Sequence, residues 1–310
     1  MNFSAVVEQI AVLGIVMFFG FIICKTGYVP SKAKDSISKL IVNLILPCLI
    51  ISSISKQEFE TELLKEFLLV FVMTLFCIGT LFFLGVVTAK ILKIPNATRS
   101  VHKLLMTLGN VIFIGYPIIT AMYGEEGFVY AIIYWMMNDL FLWTVGVIMF
   151  SRDKSENSNL LKKLANPNTI SFVIATVMFI LGIKLPPVIH RAAEEVGSLT
   201  THLSMIFIGM ALATVNIKSA IKKWWIFIIA PLKLVIMPIV FIIIFKSFGI
   251  KEVILGCVVL EAAMPAQTVL SILANEYNAD FEYAAVGMFI TTVLSLVTLP
   301  FVCYCLNVLI

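Results

Sequence analysis

The chain has 310 residues, of which 61% are hydrophobic and only 13% are charged, and its mean hydropathy is +1.05. Soluble domains carry about 25% charged residues, so this composition excludes an ordinary soluble protein and indicates an all-α polytopic membrane protein. The net charge of +4 arises without a basic cluster, so we expect the protein to contact membrane lipid and not nucleic acid.

Apolar runs of about 20 residues predict ten membrane-spanning helices. In chain order, the predicted spans 1 to 10 are 5–24, 37–55, 67–89, 103–122, 128–150, 169–186, 198–215, 224–245, 253–273 and 283–307. The loops between them are short, and the longest, residues 151–168, has no room for a soluble domain.

The basic residues predict an orientation. Fifteen Lys and Arg residues lie in or beside the loops that follow spans 1, 3, 5 and 7, against six on the opposite side. The positive-inside rule therefore predicts that loop 151–168 is cytoplasmic and that both termini are extracytoplasmic. The plasma membrane is the expected location.

Two predicted spans contain proline and polar residues where a spanning helix should be continuous. The residues are Asn110, Gly115 and Pro117 in GNVIFIGYPIITAMYG of span 4, and Glu261, Pro265 and Gln267 in LEAAMPAQTVLSILANEY of span 9. A single proline in a membrane helix most often makes a simple kink. Breaks at corresponding places in two halves are typical of a transporter binding site.

The predicted domains are a first five-helix repeat at 1–150, a short cytoplasmic linker at 151–168 and a second repeat at 169–310. Because five is odd, the second repeat enters the membrane inverted, and the broken helices 4 and 9 cross near the midplane. We expect half-helices to begin after Pro117 and after Pro265, with their positive ends facing one pocket. Such ends favour a carboxylate, to which Asn110 and Gln267 would donate hydrogen bonds.

Three ionisable residues lie at membrane depth, where charges are costly and suggest function. They are Lys233 in span 8, Glu261 at the break of span 9, and Asp139 beside Asn138 in span 5. One interpretation is a structural ion pair between Lys233 and Glu261. The functional alternative is that Glu261 or Asp139 exchanges H⁺ or binds Na⁺ as the substrate moves.

Other features of the sequence favour structural roles over roles in binding or catalysis. Ser52 and Ser53 of span 2 are more often bonded to their own helix than to a ligand. The six cysteines have no metal-binding spacing, and HExxH and GxSxG motifs are absent from the sequence, so neither an enzyme nor a cofactor is expected.

Six stretches resemble the auxin efflux carrier (PIN-like) family, in its bacterial type. They are NLILPCLIISS, GNVIFIGYPIITAMYG, NPNTISFVIA, IFIGMALA, LKLVIMP and EAAMPAQ. The resemblance implies a scaffold of spans 1, 2, 6 and 7 and a moving transport half of spans 3–5 and 8–10. It also implies roles for individual residues: crossover positions at Asn110, Pro117 and Pro265, substrate-facing positions at Ser52 and Ser53, a polar support at Asp139 and a basic site at Lys233. Glu261 departs from the plant pattern, which has a neutral amide there.

The resulting functional prediction is a secondary transporter of small organic anions, such as malate, malonate or auxin-like carboxylates, that works by an elevator mechanism. The alternative is an anion channel or a membrane receptor with the same fold. A homodimer through the scaffold spans is one arrangement that this fold allows.

Overall fold

The computed structural model describes residues 3–55, 64–152, 167–214 and 224–309, and the regular elements in these ranges are helices. The α-helices are α1 (Phe3–Lys25), α2 (Ala33–Leu40), α3 (Leu46–Ser55), α4 (Leu64–Ile91), α5 (Asn96–Thr107), α6 (Tyr116–Phe141), α7 (Val147–Arg152), α8 (Pro167–Ile180), α9 (Pro187–Thr214), α10 (Ile226–Pro231), α11 (Met237–Lys246), α12 (Glu252–Ala262), α13 (Val269–Glu276) and α14 (Phe281–Leu309). The predicted linker 151–168 lies largely outside the described residues.

Four five-residue π-helical segments connect some of these helices. They are Ile41–Ile45, Val111–Gly115, Leu142–Gly146 and Leu232–Ile236. Three of them end two residues before a proline, at Pro47, Pro117 and Pro238. A proline ring has no N–H and crowds the carbonyl one turn back, and the wider π turn relieves that crowding. The chain therefore remains helical at Pro117, which the sequence alone marks as a break.

Six helices in the described part of the chain are long and apolar enough to cross a membrane. They are Ala33–Ser52, Lys65–Ile91, Tyr130–Ser151, Pro187–Thr214, Ile226–Lys246 and Phe281–Leu309. These correspond to predicted spans 2, 3, 5, 7, 8 and 10. The prediction of an all-α, multi-pass membrane protein is therefore confirmed for the described residues.

The other four predicted spans differ in form. Span 1 corresponds to α1, and span 6 corresponds to α8, which has only 14 residues and ends at Ile180. Span 4 is divided between α5 and α6, and span 9 between α12 and α13. The predicted loop between spans 4 and 5 is a single turn inside α6 at Gly124, whose φ of 63° places it in the left-handed region.

The helices pack in two groups. In the first group, α1 packs along α9, which also packs on α3, and α3 packs on α8. Glycine makes the closest of these contacts, because a Cβ on Gly209 would overlap the backbone of α1 at Met17 and Phe21. The second group joins α4 to α6 with α10 to α14.

Candidate functional site

Two unwound segments of the second group pair with each other in the interior. The first is Leu108–Asn110, between α5 and the π turn at Val111–Gly115, and the second lies between α12 and α13. The Asn110 N–H donates to the Pro265 carbonyl at 2.7 Å, and the Gln267 N–H donates to the Leu108 carbonyl at 3.1 Å. Gly109 and Ala266 thus form an antiparallel bridge. The pairing satisfies backbone groups that would otherwise be unbonded at membrane depth.

The position of the first break corrects the sequence-based prediction. The chain is unwound before Gly115 and Pro117, so the expectation that a half-helix begins after Pro117 is wrong. The break lies earlier because a π turn precedes Pro117 and keeps the chain helical up to this proline. In the second break, Pro265 lies in the unwound segment, as expected, and α13 begins at Val269.

Both new helices begin at this crossing. The Asn110 carbonyl accepts hydrogen bonds from the N–H groups of Ile114 at 3.2 Å and Gly115 at 3.1 Å, so helical bonding starts at Asn110. The Asn110 side-chain amide donates to the Thr268 hydroxyl at 2.9 Å, and Thr268 is the N-cap of α13. The N–H groups of Leu270 and Ser271 donate to the carbonyls of Gln267 at 3.2 Å and Thr268 at 3.3 Å, so the second helix begins beside the first.

A narrow cavity adjoins the two helix starts. It is lined by Leu46, Asn110, Val111, Ile112, Asp139, Leu142, Trp143, Gln267 and Val269. Three of the predicted site residues, Asn110, Asp139 and Gln267, are therefore brought together. The cavity has room for about one water molecule, so a bound carboxylate would require side chains to move.

A buried chain of hydrogen bonds positions the polar wall of the cavity. Asn138 accepts a hydrogen bond from the Gly109 N–H at 3.3 Å and donates to the Gln267 carbonyl oxygen at 3.3 Å. The Gln267 amide donates to one oxygen of Asp139 at 3.1 Å, and the Trp135 indole donates to the other at 2.8 Å. Each oxygen of the Asp139 carboxylate therefore has an N–H donor, which favours its ionised form.

Lys233 and Glu261 do not pair, so the predicted structural ion pair is wrong. The Lys233 ammonium donates to the carbonyls of Leu105 at 3.0 Å and Leu108 at 2.5 Å. These carbonyls lie at the C-terminal end of α5, where the helix dipole favours a cation. The Glu261 carboxyl is 1% exposed, and neither of its oxygens has a hydrogen-bond partner.

The remaining predicted residues lie around the crossing or outside it. Gly115 faces the Glu261 carboxyl so closely that a Cβ at this position would overlap it. Ser52 is buried but outside the cavity, and its hydroxyl donates to the Leu49 carbonyl of its own helix at 3.2 Å. The side chains of Ser53 and Pro117 lie outside the described part of the structure.

Three residues at the site were not identified from the sequence. The Thr268 hydroxyl accepts from the Asn110 amide, the Trp135 indole donates to Asp139, and Thr291 accepts a hydrogen bond from the Ala266 N–H at 3.1 Å. Trp135 carries a readable signal, because it precedes Asp139 by one helical turn.

The chain was compared with known proteins. Residues 5–303 match the family described as membrane transport protein. An uncharacterised transporter of Methanocaldococcus jannaschii is 25% identical over 94% of this chain and 96% of its own length. The uncharacterised transporter YfdV of Escherichia coli is 22% identical over 92% of this chain and 93% of its own. Auxin efflux carrier component 8 of Arabidopsis thaliana is 27% identical over 44% of this chain and 38% of its own.

The family match covers nearly the whole chain, the helices include several that are long enough to cross a membrane, and the predicted resemblance to auxin efflux carriers is confirmed. The chain belongs to the membrane transport protein family, which includes the auxin efflux carriers.

Proposed function

We propose that this protein is a secondary carrier of small organic anions, of the malate, malonate or auxin-like carboxylate class. The observation that carries the proposal is the meeting of two buried helix starts at one cavity whose polar wall includes the amides of Asn110 and Gln267. The start of a helix carries the positive end of its dipole, which favours carboxylates.

The surrounding charges support an anionic ligand. Lys233 places a positive charge on the Leu108 carbonyl, two residues before Asn110. The one acidic residue that lines the cavity, Asp139, already accepts hydrogen bonds from Trp135 and Gln267. Its negative charge is therefore partly compensated before a ligand arrives.

We also propose the architecture predicted from the sequence, with ten spans in two inverted repeats, 1–150 and 169–310, and crossed broken helices 4 and 9. The antiparallel bridge between Gly109 and Ala266 supports this arrangement, because inverted repeats bring their equivalent breaks together in opposite directions. The distribution of basic residues supports a plasma-membrane orientation with both termini outside and the loop 151–168 in the cytoplasm.

Transport would follow an elevator mechanism, in which spans 3–5 and 8–10 move against a scaffold of spans 1, 2, 6 and 7. The two packing groups support this division. The contacts between the groups include the Asn275 amide, which donates to Asp35 at 3.1 Å, and the Lys34 ammonium, which lies 4.6 Å from the Phe281 ring centroid. Exposed contacts of this kind contribute little free energy, so they can break and re-form during movement.

Counterflow in proteoliposomes tests the proposal against an anion channel or a receptor. Labelled malonate should enter vesicles by saturable uptake that internal malonate or malate accelerates. Asn110→Ala should lower this uptake at least about tenfold, since it removes a donor at the cavity. Asn43→Ala is the matched control, because the Asn43 amide is bonded to Lys39 of its own helix. Conductance without counterflow would identify a channel, and ligand binding without flux would identify a receptor.

A further inference from the structure

The two buried carboxyl groups near the crossing have opposite surroundings. Asp139 is 4% exposed and has an N–H donor on each oxygen. Glu261 is 1% exposed and has a hydrogen-bond donor on neither oxygen. An ionised carboxylate without donors or a cation is very unstable in a buried site, whereas the neutral acid is tolerated there.

The position of Glu261 on its helix also disfavours a negative charge. It lies in the last turn of α12 (Glu252–Ala262), where the carbonyl end of the helix carries a partial negative charge. The equivalent end of α5 is stabilised by the Lys233 ammonium, which is fully engaged with Leu105 and Leu108. The C-terminal end of α12 therefore carries an acidic residue, whereas the C-terminal end of α5 binds the basic side chain of Lys233.

Within the described part of the chain, no lysine, arginine or histidine donates to the Glu261 carboxyl. The titratable groups that interact with it electrostatically include Tyr134 of α6 and Cys257 of α12. Phenol and thiol groups are neutral at neutral pH. The carboxyl also contacts Gly115, which has no side chain.

We propose that Glu261 is a proton-binding site whose proton crosses the membrane together with the transported anion. The inference rests on the proposed carrier function and specifies its coupling ion. The carboxyl is protonated in the conformation described here, and it releases the proton when the moving half exposes this site to water.

The geometry provides a route for coupling. Gly115 contacts the Glu261 carboxyl, and its N–H donates to the carbonyl of Asn110, which lines the anion cavity. One helical turn therefore separates the proton site from the anion site. Loss of the proton would place a negative charge near the bound anion, so each ligand raises the affinity of the protein for the other.

The same geometry favours H⁺ over Na⁺. A metal cation needs several oxygen ligands, and three of the carbonyls at the two breaks already accept hydrogen bonds. The Leu108 carbonyl accepts from Lys233 and Gln267, the Pro265 carbonyl from Asn110, and the Glu261 carbonyl from Met264. A proton needs only the carboxyl itself.

Infrared difference spectroscopy tests the site without requiring transport. Exchange of H₂O for D₂O at neutral pH should reveal the carbonyl band of a protonated carboxyl in the wild-type chain. The band should disappear in Glu261→Gln and remain in Asp139→Asn and in Glu252→Gln, which changes an exposed acid on the same helix. Absence of the band from the wild type, or its loss in Asp139→Asn instead, would overturn the proton site.

Flux in proteoliposomes tests the coupling. Malonate entry should carry protons that a pH dye in the vesicle lumen records, and a gradient of 1 pH unit should concentrate monovalent malonate about tenfold for one proton per anion. Glu261→Gln should retain counterflow and lose both effects. Wild-type counterflow without proton movement, or uptake driven by Na⁺, would overturn proton coupling and leave the carrier function intact. If malonate and malate give no counterflow, the carrier function for these anions fails, and the infrared band alone decides the proton site.

Discussion

Replacing Lys233 and Glu261, singly and together, tests how the charges at the crossing are held. Lys233→Met keeps the length and apolar stem of the side chain and removes the ammonium. The Leu108 carbonyl then keeps the Gln267 N–H as a partner, but the Leu105 carbonyl loses the ammonium bond, which is 3.0 Å long in the wild type. One buried acceptor left without a donor costs about 1–3 kcal/mol in the free energy of unfolding.

Glu261→Gln should have a smaller effect on stability. The carboxyl has no hydrogen bond to lose, and the amide has nearly the same shape, so we expect a change within about 1 kcal/mol. Because the two side chains have no shared partner, the double variant should equal the sum of the single variants to within about 0.5 kcal/mol.

Equilibrium unfolding in mixed micelles measures these three free energies. Cys77 and Cys257 are buried and unpaired, so their labelling by a maleimide reports unfolding. A buried ion pair would give a different result, because loss of either partner would cost about 3–5 kcal/mol and the double variant would recover much of that loss. A cycle with that pattern would refute the placement of Lys233 on the end of α5.

Three further predictions concern the site and its frame. Asn110→Ala should lower the free energy of unfolding by about 1–3 kcal/mol, since the buried Thr268 hydroxyl loses its donor. Malonate counterflow should fall even where the variant is folded, and wild-type counterflow in the folded variant would contradict a binding role. Pro117→Ala should also lower counterflow more than stability, because the π turn before it no longer has a ring to accommodate; unchanged counterflow would remove this proline from the site. Gly209→Ala should lower the free energy of unfolding by at least about 2 kcal/mol, because its Cβ would meet the backbone of α1. The control Gly79→Ala, at a glycine in open space, should be neutral or stabilising by up to about 1 kcal/mol. Equal stability of the two variants would contradict the close packing of α1 on α9.

The positions of the six long helices were predictable because hydropathy over about 20 residues depends on little else. The breaks were harder to place. Pro117 marks the right neighbourhood, but the π turn shifts the unwinding to Leu108–Asn110. A π turn depends on how the surrounding helices pack, and a single sequence does not record it.

The ion pair was one of two interpretations of Lys233 and Glu261, and it failed for a similar reason. Lys233 and Glu261 are the only charged residues within predicted spans 8 and 9, and opposite charges at membrane depth commonly pair with each other. In the structure the ammonium finds backbone carbonyls instead. A carbonyl that lacks a partner within its helix can be identified as a hydrogen-bond acceptor for lysine only once the position of the break is known.

The pairing of the two unwound segments has a consequence for how a transporter of this fold can change its ligand. The bonds between Leu108, Asn110, Pro265 and Gln267 that join the segments use peptide groups alone. These backbone bonds do not depend on which side chains face the cavity. Substitution of the side chains that face the cavity can therefore change the selectivity for one acid over another, while the backbone pairing of the two segments stays the same.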